Sequence, residues 1–143
     1  MQENLISKTS ITIDAPIAKV WDALVNPAMT KKYLFGAEVA SDWKVGSPIT
    51  FKGEYQGKTY EDKGIILEVK PERLLRYTHW SNLSGLPDLP ENYHGLTWDL
   101  SSEGNRTKLS LAQDNNATEK AREHSDQFWT DVLATIKQLA ESP

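Results

Sequence analysis

Residues 116–141 carry the clearest hydrophobic pattern in the chain. Apolar or small side chains recur at helical spacing for about six turns, a length of roughly 36 Å at 1.5 Å per residue. The stripe consists of Ala121, Ser125, Phe128, Val132, Ile136 and Leu139, widened by Trp129, Leu133 and Ala140. Asn116 followed by Glu119 predicts a capping-box start. The pattern therefore predicts one long amphipathic helix, which needs an equally long apolar partner.

The upstream sequence predicts strands that could supply this partner. Period-two alternation predicts a strand over Leu5–Ile13, and helical spacing predicts short helices over residues 16–25 and 28–34. Alternation then returns, and Gly64 inside one strand indicates a bulge or a bend. The further predicted strands cover residues 37–41, 48–55, 59–69, 74–80, 94–100 and 107–113. This order predicts an α+β fold, with a curved antiparallel sheet of about seven strands.

A cavity is expected between the long helix and the concave face of such a sheet, because one helix cannot fill the hollow. Bulky aromatic residues fall on the inward positions, and Tyr and Trp bring a polar tip to an apolar wall. An ordinary packed core is the alternative for these positions. The candidate ligand-binding residues, including two histidines at the cavity mouth, are Phe51, Tyr55, Tyr60, Tyr77, Trp80, His94, Trp98, His124, Phe128, Trp129 and Val132.

Residues 81–93 interrupt the strand pattern with a glycine and two prolines. A loop of this length is uncommon in a compact domain and is often functional. We expect it to act as a lid or an entrance. Its leucines, Leu83, Leu86 and Leu89, are predicted to pack over one end of the cavity or against another subunit.

Composition narrows the function classes. The chain has 143 residues, a formal net charge of −4 and no cysteine. One domain over residues 1–143 is expected. Disulfides, thiolate metal sites and cysteine nucleophiles are excluded, and the acidic balance argues against a nucleic-acid partner. No signal peptide and no apolar run of membrane-spanning length is present, so a cytoplasmic location without membrane association is expected.

Titratable residues leave an acid–base role open. The three histidines, His79, His94 and His124, share no metal-ligand spacing, so neither a metal site nor a cofactor is predicted. A histidine or a strand carboxylate that reaches the cavity could transfer protons, whereas surface placement is the alternative. Strand alternation predicts that Asp62 and Glu68 share one face, with Glu61 on the other.

A series of short motifs runs through almost the whole chain. The segments are ITIDAP at 11–16, VWDAL at 20–24, GIILEV at 64–69, PERL at 71–74, TWDL at 97–100, NRTKL at 105–109, and the helical residues Trp129, Leu133, Ile136 and Leu139. In order and spacing they resemble the START-like (SRPBCC, birch-pollen-allergen-like) superfamily. Within it, they resemble the family of activator of heat-shock-protein-90 ATPase homologue-like proteins.

The resemblance implies a helix-grip fold and a protein that binds a small hydrophobic ligand between the C-terminal helix and the sheet. Two alternatives from the same superfamily stay open. One is a protein-contact module that resembles the chaperone-ATPase activators, and the other is an enzyme that resembles the polyketide cyclases and aromatases. A homodimer formed through an exposed sheet edge is a further expectation.

Overall fold

The computed structural model describes residues 5–142, apart from the side chain of Tyr55. The described chain forms the elements β1 Leu5–Ile13, α1 Ile17–Val25, α2 Pro27–Tyr33, β2 Glu38–Ala40, β3 Pro48–Tyr55, β4 Lys58–Lys70, β5 Leu74–His79, β6 His94–Glu103, β7 Arg106–Asn116 and α3 Glu119–Glu141. Within this range the strands make one curved antiparallel sheet in the order β1-β7-β6-β5-β4-β3-β2. The predicted α+β helix-grip fold is confirmed.

The hairpins have short turns that follow from local sequence. β3 and β4 are joined by Gln56 and Gly57, which both have positive φ, at 52° and 78°. This is the backbone of a type I′ turn, whose twist matches that of the flanking strands. β6 and β7 pair as far as Glu103 and Arg106, so at the turn β6 runs three residues and β7 one residue further than the hydrophobic pattern predicts. The residues of this extension are polar, so the hydrophobic pattern of the sequence does not reveal them. Hydrogen bonds between the two backbones hold them in the sheet.

The long helix begins at Glu119, three residues after the predicted start. Its N-cap is Thr118, whose side chain accepts a hydrogen bond from the backbone N–H of Ala121 at 3.0 Å. The predicted capping box at Asn116 is therefore wrong. Asn116 ends β7, and its side-chain amide donates to backbone carbonyls of β1 and β7. Its amide group is therefore committed to the sheet, while its side-chain oxygen accepts a hydrogen bond from Ser125 of α3.

Gly64 lies where the backbones of β4 and β5 approach each other most closely. A Cβ atom at this position would lie 1.6 Å from the carbonyl oxygen of Thr78. The bulge predicted at Gly64 is wrong, because the register between β4 and β5 shifts further along, between Ile66 and Glu68. The glycine is needed because the backbones of two strands approach closely here, and it does not mark the extra residue of a β-bulge.

This register shift changes which side chains face inward. Glu68 lies on the outer face, where its carboxylate is 3.5 Å from Arg76 and 3.3 Å from Lys70. Asp62 lies on the inner face, where it meets His79. The prediction that Asp62 and Glu68 share a face is wrong, because one extra residue in a strand inverts the alternation that follows it.

The two halves of α3 have different surroundings. Its C-terminal half packs into the core and mainly faces β1, with Val132, Leu133, Ile136 and Ala140 buried. In the N-terminal half, Phe128 is 40% exposed although it belongs to the same apolar stripe. This half is attached to the sheet by polar contacts instead, among them the hydrogen bond from Ser7 of β1 to Asp126 at 2.5 Å. No helix of the described chain is long and apolar enough to cross a membrane.

The irregular loop, residues 81–93, is fastened by a group of side chains that we call the latch: Lys63, Trp80, Asp88 and Tyr93. The Asp88 carboxylate lies 2.5 Å from the Lys63 ammonium and accepts a hydrogen bond from the Tyr93 hydroxyl at 2.5 Å. The Trp80 ring stacks on Tyr93, and its indole N–H donates to the carbonyl of Leu86 at 3.2 Å. The loop is therefore held by polar contacts.

Replacing Gly64 with alanine should lower the free energy of unfolding by at least about 3 kcal/mol, because the backbone carbonyl of Thr78 cannot move aside cheaply. Urea unfolding followed by circular dichroism measures this. The matched control is Gly53→Ala in β3, whose new Cβ would meet only the movable ring of Tyr60. Similar losses in the two variants would contradict this account of Gly64.

The latch should open in acid. Hydrogen bonds from Lys63 and then from Tyr93 lower the pKa of Asp88 below its ordinary value. A carboxyl group whose pKa is lower in the folded state than in the unfolded state stabilises the folded protein at pH values above the unfolded-state pKa, which is about 3.9 for aspartate. That contribution is lost as the pH falls through the lowered value. The NMR signal of the Trp80 indole N–H should therefore shift below about pH 4.

The variant Asp88→Asn should open the latch already at neutral pH. Amide hydrogen exchange in residues 81–93 should rise by no more than about tenfold, since exposed ion pairs contribute little. Glu91→Gln is the control, because it removes a carboxylate of the same loop that lies outside the latch. Equal exchange in all three proteins would show that Asp88 does not fasten the loop.

Candidate functional site

A cleft of about 780 Å³ lies between the N-terminal half of α3 and the inner face of the sheet. Its lining on the helix consists of His124, Ser125, Phe128 and Trp129. The sheet side of the lining comes from β3 to β7, and the remainder from the end of α2 and from the loop at residues 81–83.

Trp129 forms the inner end of the helix wall. Its indole N–H donates to Oε1 of Gln113 at 2.6 Å, and the rings of Phe128 and Trp98 pack edge-on to it at 4.9 and 5.8 Å. Trp98 in turn donates its indole N–H to the hydroxyl of Tyr77 at 3.1 Å. These hydrogen bonds satisfy the polar tips of the aromatic side chains and hold the rings in place.

Tyr77 stays a neutral phenol at physiological pH. Burial raises its pKa to about 12, and the hydrogen bond from Trp98 opposes this rise without cancelling it. Tyr60, on the neighbouring strand, also has a raised pKa, first because of burial and then because of the charge of Asp62. Both tyrosines therefore present uncharged hydroxyl-bearing rings to the cleft.

Apolar side chains line the cleft beside the open end of the helix. Phe35 is 74% exposed, and its ring lies 5.9 Å from that of Phe128. Leu83 of the irregular loop lines the cleft and is 42% exposed. Phe35 has a φ of 55°, which is uncommon for a residue other than glycine. We call Phe35, Leu83 and Phe128 the apolar lip.

A polar corner of the cleft is formed by Asp62, His79 and His94. Nε2 of His79 donates to Oδ2 of Asp62 at 3.0 Å, and Phe51 packs edge-on to the His79 ring. His94 lies directly opposite His79 in the pairing of β5 with β6. Its Nδ1 donates to the backbone carbonyl of Asp114 at 2.9 Å. Each imidazole is therefore oriented by an oxygen acceptor at one nitrogen, which leaves the other nitrogen for a further contact.

The structure places most of the predicted ligand-binding residues on the lining of this cleft. They are Phe51, Tyr60, Tyr77, His94, His124, Phe128 and Trp129. Trp98 and Val132 are buried behind it, and Trp80 belongs to the latch. The side chain of Tyr55 lies outside the described part of the chain. The role of these residues in binding stays a prediction.

Some lining residues were not among the sequence-based candidates for the wall. Phe35 precedes Gly36 at the end of a short helix, and an exposed aromatic before a helix-ending glycine is the only local signal for it. In the sequence, Gln113 is an ordinary polar position at the end of a predicted strand, and Ser125 is a small residue of the helical stripe. Their position on the lining depends on how α3 packs against β7, and the periodicity of the sequence does not predict this packing.

Comparisons with known proteins identify the family. Residues 14–141 match the family model described as Activator of Hsp90 ATPase homolog 1-like protein. The solution structure of ChR145 from Cytophaga hutchinsonii is 49% identical, with a TM-score of 0.87, over 99% of this chain and 97% of that chain. Comparison with curated proteins gives no match.

Two more distant structures share the fold. The Aha1 dimer from Colwellia psychrerythraea is 19% identical, with a TM-score of 0.74, over 96% of each chain. Ara h 8.0201 is 14% identical, with a TM-score of 0.76, over 99% of this chain and 100% of that chain. The family match spans nearly the whole chain and agrees with the sequence motifs. The chain therefore belongs to the Activator of Hsp90 ATPase homolog 1-like family, within the START-like superfamily.

Proposed function

We propose that this protein binds a small, largely apolar or amphipathic ligand in the cleft between α3 and the sheet. The observation that carries the proposal is the cleft itself. Its volume of about 780 Å³ lies within the range of roughly 300–1,000 Å³ that small-molecule sites occupy. Its walls include several aromatic faces, and the indole N–H of Trp129 is already hydrogen-bonded to Gln113, which favours apolar contacts on the ring face that remains.

The apolar lip supports the same proposal. Single exposed apolar residues are normal on a protein surface, but Phe35, Leu83 and Phe128 line one cleft. A ligand that enters the cleft would remove apolar area from water on both partners. Each Å² of this area contributes about 25 cal/mol. The lip thus offers a favourable path from the surface to the aromatic walls.

Acid–base catalysis is a second candidate, and the polar corner favours it. A histidine oriented by a carboxylate is a common arrangement for a general base, and here His79 and Asp62 form such a pair on the cleft wall. Mass spectrometry of a bound ligand that is recovered after incubation with the protein distinguishes ligand binding from catalysis. An unchanged ligand supports a binding protein, whereas a converted ligand supports an enzyme.

The binding proposal is tested with Nile red, an uncharged dye whose fluorescence rises in apolar surroundings. The wild-type chain should bind it saturably with about one site. Phe128→Ala should weaken binding about tenfold, because an aromatic contact of about 1–2 kcal/mol is removed. The unfolding free energy should fall only slightly, since Phe128 is 40% exposed.

Two leucine variants of the irregular loop provide the matched control. Leu83→Ala removes a lining residue and should weaken dye binding about threefold, the effect of losing less than about 1 kcal/mol. Leu86→Ala removes the same group from an exposed position outside the lining and should leave affinity unchanged. Equal affinity in the wild-type and Phe128→Ala chains, or no saturable binding at all, would overturn the proposal.

A further inference from the structure

The polar corner contains more hydrogen-bond acceptors than the protein satisfies. Because a carbonyl oxygen can only accept, Nδ1 of His94 must carry the proton in its bond to Asp114. The carboxylate of Asp62 likewise places the proton of His79 on Nε2. In the neutral rings, Nδ1 of His79 and Nε2 of His94 are then acceptors. Neither nitrogen has a protein donor in the part of the chain that the structure describes.

Asp62 adds a third acceptor. Its Oδ2 is taken by His79, whereas its Oδ1 is buried and has no hydrogen-bond partner among the described residues. Buried polar atoms are nearly always paired, and an unpaired carboxylate oxygen costs free energy. The corner would therefore gain stability from a group that donates hydrogen bonds.

The charge of the lining excludes one obvious class of ligand. Two carboxylates, Glu54 and Asp62, line the cleft, and its described lining includes no lysine or arginine. The carboxylate of a fatty acid would meet acceptors and like charge, without a cation to compensate for its lost hydration. An uncharged donor would meet neither penalty.

Strand alternation explains why the cations are missing from the lining. Phe51 and Asp62 face each other across β3 and β4 on the inner face. Each is followed in sequence by a lysine, which alternation directs to the outer face. There Lys52 lies 3.9 Å from Glu61, and Lys63 belongs to the latch. The register of these two strands thus places Asp62 on the inner face and keeps Lys52 and Lys63 out of the lining.

We propose that the polar corner binds the hydroxyl group of an uncharged aromatic ligand and that the cleft discriminates against carboxylate ligands. The aromatic walls contact the ring system, an acceptor nitrogen of His79 or His94 receives the hydroxyl proton in a hydrogen bond, and the charge of Asp62 behind them disfavours an anion. The inference rests on the proposed function, because it names the class of ligand that the same cleft takes.

Three naphthalenes of nearly equal size test this on the wild-type chain by displacement of Nile red. They are 2-naphthol, which donates a hydrogen bond, 2-methoxynaphthalene, which does not, and 2-naphthoate, which is an anion. We expect 2-naphthol to bind about fivefold to tenfold more tightly than 2-methoxynaphthalene, the effect of one net hydrogen bond of about 1 kcal/mol. It should bind at least about tenfold more tightly than 2-naphthoate.

Variants assign the preference to the polar corner. Asp62→Asn removes a charge with little change of shape and should improve the affinity for 2-naphthoate, relative to 2-naphthol, by at least about fivefold. His94→Phe should reduce the preference for 2-naphthol over 2-methoxynaphthalene. The matched control is Glu61→Gln, the neighbouring carboxylate on the outer face, which should change neither ratio. Far-UV circular dichroism and urea unfolding show whether each variant is folded.

The outcomes separate this inference from the proposed function. If Nile red binds but the three naphthalenes bind equally, or 2-naphthoate binds best, the inference is overturned and the binding function stands. If the preferences exist but persist in Asp62→Asn and His94→Phe, the group that accepts the hydrogen bond lies elsewhere and the assignment to the polar corner is wrong. If no probe binds in the cleft, the proposed function itself fails.

Discussion

The structure depends on the packing of one long helix against a curved sheet. Over its C-terminal half, α3 buries Val132, Leu133, Ile136 and Ala140 in the core. Its N-terminal half also lies against the sheet, but there the facing side chains leave a cleft. The core and the cleft are therefore two parts of the same helix–sheet interface, and a change in the curvature of the sheet would affect both.

Trp129 lies at the boundary between these regions. Its ring is almost buried, yet it lines the cleft, and its indole N–H is tied to Gln113 of β7. One helical turn nearer the N-terminus, Ser125 donates to Asn116 at 2.8 Å. These polar contacts attach this half of the helix directly to β7. The cleft therefore opens on the side of the helix that faces β3 to β6, and the attachment requires the ordering of several polar side chains.

The two ends of the cleft differ in chemistry for reasons that lie in separate elements. The apolar lip comes from the end of α2, the irregular loop and α3, all of which expose apolar side chains beside one another. The polar corner comes from paired strands, whose backbone bonds position His79 and His94 opposite each other. A binding site with one apolar end and one acceptor-rich end selects ligands by orientation as well as by size. The latch adds a loop whose attachment is polar and therefore sensitive to pH.

The sequence by itself determined the order of the elements, the fold class, the family and most of the aromatic wall, because these depend on local periodicity and on motifs spread along the chain. Only the tertiary structure decided the start of α3, the outward position of Glu68, the contribution of Phe35 and the pairing of Asp62 with His79. The reason is physical. Asn116 was already bonded to the sheet, a register shift inverted the alternation before Glu68, and the polar corner exists only where three strands lie side by side. Such features arise from contacts between residues distant in the chain, which a one-dimensional pattern of apolar and polar positions does not encode.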